Sequence, residues 1–275
     1  LYELIDKAKN EELSSKIIED FLARNNNTLD LEAQEGLLAW KEEFKFWEGY
    51  SEIYYHMEDT GFYGELVETI RNLTKPKKGE IWLDAGCGPA KMSQLVWEKS
   101  KGKLKKIIGI DIVLNPAYQT LAKLGNSIPL ELKYTNLGEK LPFPDEFFDG
   151  IVANAVLTYV IDFEGQKGKE TFVEVMKEMF RVLKPGGHIV WSTPKRNPFF
   201  LRNFLAGLPD MLSIRKQLQH RVFGLWIGVR ILKYAFETAS KGKRGIYTFL
   251  DPKEYEEILG AIGFKDFKWG KTYAR

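Results

Sequence analysis

Ile81-Trp82-Leu83-Asp84-Ala85-Gly86-Cys87-Gly88-Pro89-Ala90 is the stretch that decides the fold. Its first residues are apolar, as in a strand buried on both faces. Two glycines then turn the chain, and Pro89 suits the first turn of a helix. Strand, glycine turn and helix make a nucleotide-type binding turn at the carboxyl edge of a parallel sheet.

Outward from this turn, strand and helix patterns alternate. Apolar runs predict strands over 81–84, 106–111, 130–135, 148–154 and 188–192. Helical spacing predicts helices over 91–99, 116–124 and 170–183. Such alternation implies βαβ units, a mostly parallel sheet and helices on both faces. Pro185-Gly186-Gly187 marks the turn into the fifth strand. After Asp251-Pro252, an N-cap followed by a residue suited to N1, a helix to about Ile262 and a strand over Phe264–Trp269 are expected to close the sheet. Before the turn, residues 1–75 read as a helical extension. A first helix spans residues 1–24, a second runs from an Asp30 cap to a stop at Gly49, and a third covers Tyr63–Leu73. Residues 195–245 hold no clear strand, and Leu218, Val222, Leu225, Trp226, Val229, Leu232 and Phe236 fall at helical spacing. The expected organisation is therefore an extension over 1–75, a core over 76–194 and 246–275, and a helical insertion over 195–245.

Composition excludes several classes. The chain has 275 residues, 44% hydrophobic, which suffices for one large core. A single cysteine, Cys87, rules out an internal disulfide framework and fits a reducing cytosol. Three histidines and one cysteine without ligand spacing argue against structural zinc, and no metal is expected. No apolar run reaches the roughly 20 residues that span a bilayer. Leu1–Asn10 is charged and helical in pattern, unlike a signal peptide. The expected location is cytoplasmic, with a peripheral position at the inner membrane face open.

Net charge is only +2, but it is unevenly spread. Residues 1–75 carry 17 acidic and 8 basic residues, whereas residues 195–244 carry 11 basic and 2 acidic. The basic, aromatic insertion suits an apolar acceptor with an anionic part, or an anionic membrane surface. It could equally face the acidic extension, within one chain or across a homodimer.

The turn itself chooses between cofactors. A dinucleotide turn follows Gly-x-Gly-x-x-Gly, and here the third glycine falls on Lys91. Asp84 would repel a pyrophosphate and welcome a cationic ligand such as the sulfonium and amino group of S-adenosylmethionine. Asp111 ends the second strand, near the spacing expected for an acid on ribose hydroxyls. Cys87 needs only to be small between two glycines, and no histidine lies near it in sequence to make it a nucleophile.

Asp84-Ala85-Gly86-Cys87-Gly88-Pro89-Ala90 resembles the first motif of class I S-adenosylmethionine-dependent methyltransferases, in the branch of the ubiquinone/menaquinone-biosynthesis methylases (methyltransferase type 11). Ala90 stands where many members carry a third glycine. The likeness runs from Ile81 to Ile189. It implies a Rossmann-like, doubly wound sheet of the seven-stranded type, and S-adenosylmethionine as cofactor with S-adenosylhomocysteine as product. It places Asp84, Ala85, Gly86, Cys87, Gly88, Asp111, Ile112, Asn136, Leu137 and Asn154 at the cofactor. In this reading the Asn136 amide oxygen accepts from the adenine amine. Many relatives have histidine where this chain has Tyr159. No general base is assigned: Tyr159, Tyr55 and His56 are the candidates, with Tyr54 beside them. The insertion after the fifth strand forms a lid over the acceptor in related enzymes, which makes Phe199, Phe223, Trp226 and Arg230 the candidate substrate contacts.

The expected activity is methyl transfer by in-line displacement to a small-molecule or lipid-like acceptor. Holding acceptor and donor in line accounts for roughly 7–11 kcal/mol of such a barrier. Two alternatives stay open: an RNA methyltransferase using the basic insertion, and a noncatalytic S-adenosylmethionine-binding protein. Nucleic acid is disfavoured because Asn154-Ala155-Val156-Leu157 stands in place of an Asn-Pro-Pro-Tyr-type motif. Both monomer and homodimer fit the sequence.

Overall fold

The computed structural model describes residues 15–25, 29–54, 61–124, 127–162, 165–196, 205 and 218–272. In chain order these form helices α1 (Ser15–Asn25), α2 (Leu31–Tyr54) and α3 (Gly61–Leu73), then β1 (Ile81–Ala85), α4 (Lys91–Lys99), β2 (Lys106–Asp111), α5 (Asn115–Leu124), β3 (Leu130–Tyr134), β4 (Phe148–Asn154), α6 (Lys169–Val182), β5 (Leu183–Ser192), α7 (Leu218–Lys243) and α8 (Pro252–Ile262).

The five strands pair in the order β3-β2-β1-β4-β5, all parallel. Chain direction across the sheet reverses between β1 and β4. In open α/β sheets the ligand crevice lies at that point, beyond the strands' carboxyl ends. Alternate residues of each strand serve opposite faces. Leu83, Ile108, Ile110 and Ile151 pack with α6 and α8 through Phe172, Met176, Met179 and Tyr255. Trp82, Ile107 and Val152 pack on the other side with Ile70 of α3 and Met92, Leu95 and Val96 of α4. A third cluster, Ile18 and Phe21 of α1 with Leu37, Trp40 and Phe44 of α2, seats on Val113 just past the end of β2. The extension is thus carried to the edge where the crevice lies.

Several expectations need correction. Helix α2 does not stop at Gly49 but runs to Tyr54. Gly49 serves a close approach: a Cβ there would stand 2.5 Å from the Tyr234 hydroxyl of α7. Pro89 lies outside α4, which begins at Lys91 after Ala90 in the left-handed region at φ 60°. That conformation favours glycine, which makes Ala90 a strained residue at the entry to α4. Strand β5 begins at Leu183, because Leu183 pairs with Phe148 and His188 with Gly150. Residues 184–187 bulge out between these two pairs, with Gly186 at φ 77°.

No strand forms over Phe264–Trp269, so the sheet has five strands among the described residues. Asp266 at φ 58° breaks the extended path, and the aromatics pack individually, Phe264 on Phe180 and Trp269 on Tyr255. The caps hold as read. Asp30 accepts the Ala33 N–H at 2.8 Å, and Asp251 forms a capping box with Glu254 at the start of α8.

Candidate active site

β1 and β2 deliver the glycine turn and the acid that holds it. The N–H groups of Gly86 and Cys87 both bond the Ile110 carbonyl, at 2.8 and 3.0 Å. Asp111, at the end of β2, accepts the Gly88 N–H on one carboxylate oxygen (2.8 Å) and the Val113 N–H on the other (2.9 Å). Burial raises its pKa. Each oxygen keeps a lone pair for a further donor, and Asp111 lines the cavity beyond the turn. Gly86 sits at φ 67° with Val156 closed over it, and an added Cβ would lie 2.5 Å from Val156 Cγ2. A Cβ on Gly88 would meet no atom within 4 Å. At Gly88 the turn therefore has bare backbone with room above it, as a nucleoside ligand laid on a glycine turn requires.

Asp84 does not face this space. It is fully buried and stands behind the cavity wall, as does Ala85. One Asp84 oxygen accepts both the backbone N–H (2.8 Å) and the hydroxyl (2.6 Å) of Ser93 in the first turn of α4. Its other oxygen has no partner. Burial pushes its pKa up to about 7, against the opposing effect of Ser93. Its carboxyl therefore fixes α4 to β1 and does not present a counter-charge to the cavity.

Asn136 also differs in detail from expectation. Its amide oxygen is taken by the Gly138 N–H at 2.9 Å, and its amide nitrogen is buried with no partner. The group left over is a donor. Leu137, Ile112, Cys87 and Asn154 line the cavity wall. The loop that follows Asn136 is tied down by Arg181 of α6, which donates to the Leu141 and Phe143 carbonyls and pairs with Glu178 and Asp145. Asn154 pairs in register with Ser192. The Ser192 hydroxyl donates to the Asn154 amide oxygen at 2.6 Å and accepts the Ala155 N–H at 2.9 Å.

The cavity, about 1940 Å³, continues from the turn along the carboxyl edge and around β5. Over the turn it is roofed by the second half of α2 and by α7. Trp47 and Tyr50 of α2 and Ile231, Tyr234 and Thr238 of α7 line it, with Tyr159 below. Tyr234 packs edge-on against Phe46 and Tyr50, at 5.0 and 5.3 Å.

A buried polar cluster clasps the two roof helices. Lys241 donates to Glu43 Oε2 at 2.8 Å, and its ammonium lies 4.0 Å from the centre of the Phe46 ring. Glu43 Oε1 accepts the Trp47 Nε1–H (2.7 Å) and the Tyr247 hydroxyl. Burial, and then the adjacent carboxylate, push the Tyr247 phenol upward, which keeps it a donor. Tyr159 is buried with its ring edge-on to Tyr247 and Phe249, at 4.9 and 5.5 Å. Of the other expected base candidates, Tyr54 ends α2, and Tyr55 and His56 lie outside the described residues.

Phe199 also lies outside the described residues, as does the Phe223 side chain. Trp226 and Arg230 do not line the cavity: they belong to the outward side of α7, where the Arg230 guanidinium stacks 4.9 Å over the Trp226 ring. Sequence reading missed Ser93, Glu43, Lys241 and Tyr247. Only Glu43 had a local signal, its i,i+4 relation to Trp47. The acidic extension and basic insertion do meet, through Glu43 and Lys241, while Arg196 pairs instead with Asp251 and Glu254.

The family model described as "Methyltransferase domain" matches residues 83–191. The demethylmenaquinone methyltransferase of Bacillus subtilis (strain 168) is 34% identical over 116 residues, which are 42% of this chain and 45% of that protein. The enzyme of the same name from Lysinibacillus sphaericus (strain C3-41) is 32% identical over 114 residues, 42% of this chain and 44% of that one. The match thus spans less than half the length of either relative. The solved structure of N-methyltransferase NodS from Bradyrhizobium japonicum WM9 with S-adenosyl-L-homocysteine is 18% identical, with a TM-score of 0.42, covering 51% of this chain and 66% of that one. No described helix is long and apolar enough to cross a membrane. Through the match over 83–191, which takes in the glycine turn, Asp111 and β4, the chain carries a methyltransferase domain.

Proposed function

We propose that the protein methylates a small, apolar acceptor held between the glycine turn and the aromatic roof. The observation that carries this reading is the continuity of the cavity: Gly86, Gly88 and Asp111 line one part of it, and Trp47, Tyr50, Tyr159 and Tyr234 line the next. When bound, S-adenosylmethionine supplies a methyl on a sulfonium; the S–CH₃ bond breaks as a bond to the acceptor forms, leaving S-adenosylhomocysteine. The chain's part is to bind, align and exclude water. Asp111 receives the ribose hydroxyls on its remaining lone pairs. The unpartnered Asn136 amide nitrogen is assigned to a ring nitrogen of adenine. Asn154, fixed by Ser192, borders the passage from cofactor to acceptor. The roof aromatics offer flat apolar walls, which fit a ring-bearing or lipid-like acceptor. The names of the two demethylmenaquinone methyltransferases point in the same direction.

Calorimetry of the full chain with S-adenosylhomocysteine tests the cofactor half, and absence of a binding heat overturns it. Transfer of a labelled methyl group from S-adenosylmethionine to a demethylmenaquinone kept reduced as its quinol, whose electron-rich ring carbon can attack the methyl and then release its proton to water, tests the acceptor half. Methylation of that probe is expected. If S-adenosylhomocysteine binds but methyl transfers only to polar acceptors, the apolar reading fails and the cofactor assignment stands.

A further inference from the structure

Helix α7 has two faces of different character. One supplies Gly228, Ile231, Leu232, Ala235 and Thr238 to the cavity wall. The other carries Trp226, Val229, Lys233 and Phe236, at spacings of three, four and three residues, which is a single stripe on a helix. Trp226 is 52% exposed, Val229 62% and Phe236 53%. Lys243, the last residue of the helix, and Arg244 just after it are exposed as well. Glu237 is the one acid in the 26 residues of α7, and it leans toward Lys241 at 3.6 Å. The outward stripe therefore mixes large apolar groups with cations, and Glu237, its side chain 42% exposed, is the one acid beside them.

We propose that this outward face of α7 docks on an anionic lipid bilayer. Three occupants compete for such a face, and the stripe's chemistry separates them. A second copy meeting it face to face would set Lys233, Lys243 and Arg244 against their own like charges. Nucleic acid would use the cations but has no use for three exposed apolar side chains, since its affinity rests on phosphate contacts. A bilayer uses both: the Trp, Val and Phe side chains enter the interface while Lys233 and its neighbours meet the headgroups, as on a basic amphipathic surface helix. The exposed cations Lys233, Lys243 and Arg244 supply the charge, whereas Lys241 and Arg196 are taken up by Glu43 and by Asp251 and Glu254. Docked in this way, the cavity-lining face of α7 lies about one helix diameter, roughly 10 Å, from the lipid.

The test is co-sedimentation of the full chain with vesicles containing phosphatidylglycerol, compared with vesicles of phosphatidylcholine alone. Binding to the anionic vesicles is expected, and added salt weakens it. The combined change Trp226→Ser, Val229→Ser and Phe236→Ser is expected to lower the vesicle affinity at least about tenfold. Lys233→Gln is expected to lower it about fivefold, the equivalent of roughly 1 kcal/mol for one basic residue near an anionic surface. Calorimetry with S-adenosylhomocysteine shows that the variants are folded. The proposal is overturned if wild type does not sediment with anionic vesicles at low salt. It is also overturned if the triple variant binds them as wild type does. A dimer in sedimentation equilibrium that the triple variant dissolves would overturn it as well, since a second copy would then cover the stripe.

Discussion

Removal of the Lys241 charge tests whether the roof is held by its buried clasp. Lys241 and Glu43 side chains are 11% and 6% exposed, so water screens the pair little. In Lys241→Met, Glu43 keeps two donors, Trp47 Nε1 and the Tyr247 hydroxyl, but loses its counter-charge. Breaking a buried pair from one side costs about 3–5 kcal/mol, because a charge is left buried without compensation. In a chain of this size each kcal/mol moves the melting temperature by about 2–4 °C, so a drop on the order of 10 °C is expected. Glu43→Gln added to Lys241→Met removes the stranded charge. The carbonyl of the new amide still serves Trp47 and Tyr247, and what is left is an unsatisfied but uncharged amide NH₂ group, worth about 1–3 kcal/mol. The double variant is therefore expected to be more stable than Lys241→Met alone, a departure from additivity that urea unfolding of the variant set measures directly. A loss under about 1 kcal/mol in Lys241→Met, or a double variant less stable than that single one, would refute the reasoning.

Two further outcomes follow from the turn. Gly86→Ala puts a Cβ 2.5 Å from Val156 Cγ2 at a φ of 67°. Left-handed strain alone costs the fold about 1–2 kcal/mol, so urea unfolding should show at least that loss; because the Cβ and Val156 cannot both keep their places, the turn must shift and calorimetry should show weaker S-adenosylhomocysteine binding, whereas Cys87→Ala, a change to another small residue, should bind as wild type does. Asp84 concerns pH. Its pKa is raised by burial from 3.8 to about 7, so between those values the folded state holds a proton that the unfolded state has released. Stability from this group is therefore full below about pH 4, falls as pH rises toward 7, and levels off above it. Urea unfolding at a series of pH values should show that slope in wild type and lose it in Asp84→Asn.

The sheet was legible because parallel strands buried on both faces read as apolar runs, and glycine and proline punctuate them. The turn and Asp111 were legible because backbone approach to a ligand restricts residue type at fixed spacing. The aim of a side chain was not. Asp84 stands where the motif places it, but Ser93, nine residues on, captures its carboxylate. Asn136 keeps its place while Gly138 takes the oxygen it was expected to offer. The segment Phe264–Trp269 has the aromatic content of a strand, and it fails as one because Asp266 turns the backbone. Gly49 reads as a helix stop, though its reason lies in Tyr234, 185 residues away and invisible to any local pattern. The clasp of Glu43 on Lys241 was hidden for the same cause.

That clasp joins residues 198 apart in the chain, whereas the cofactor turn, β2 and β4 lie within one continuous run from Ile81 to Asn154. Contacts between distant residues close late, since a long loop must be ordered before they form. During synthesis the glycine turn and the strand carrying Asp111 leave the ribosome well before Lys241 exists to meet Glu43. The roof is then the last part to assemble, and until it does, the apolar side of α2 that bears Trp47 and Tyr50 is a surface for chaperones to cover.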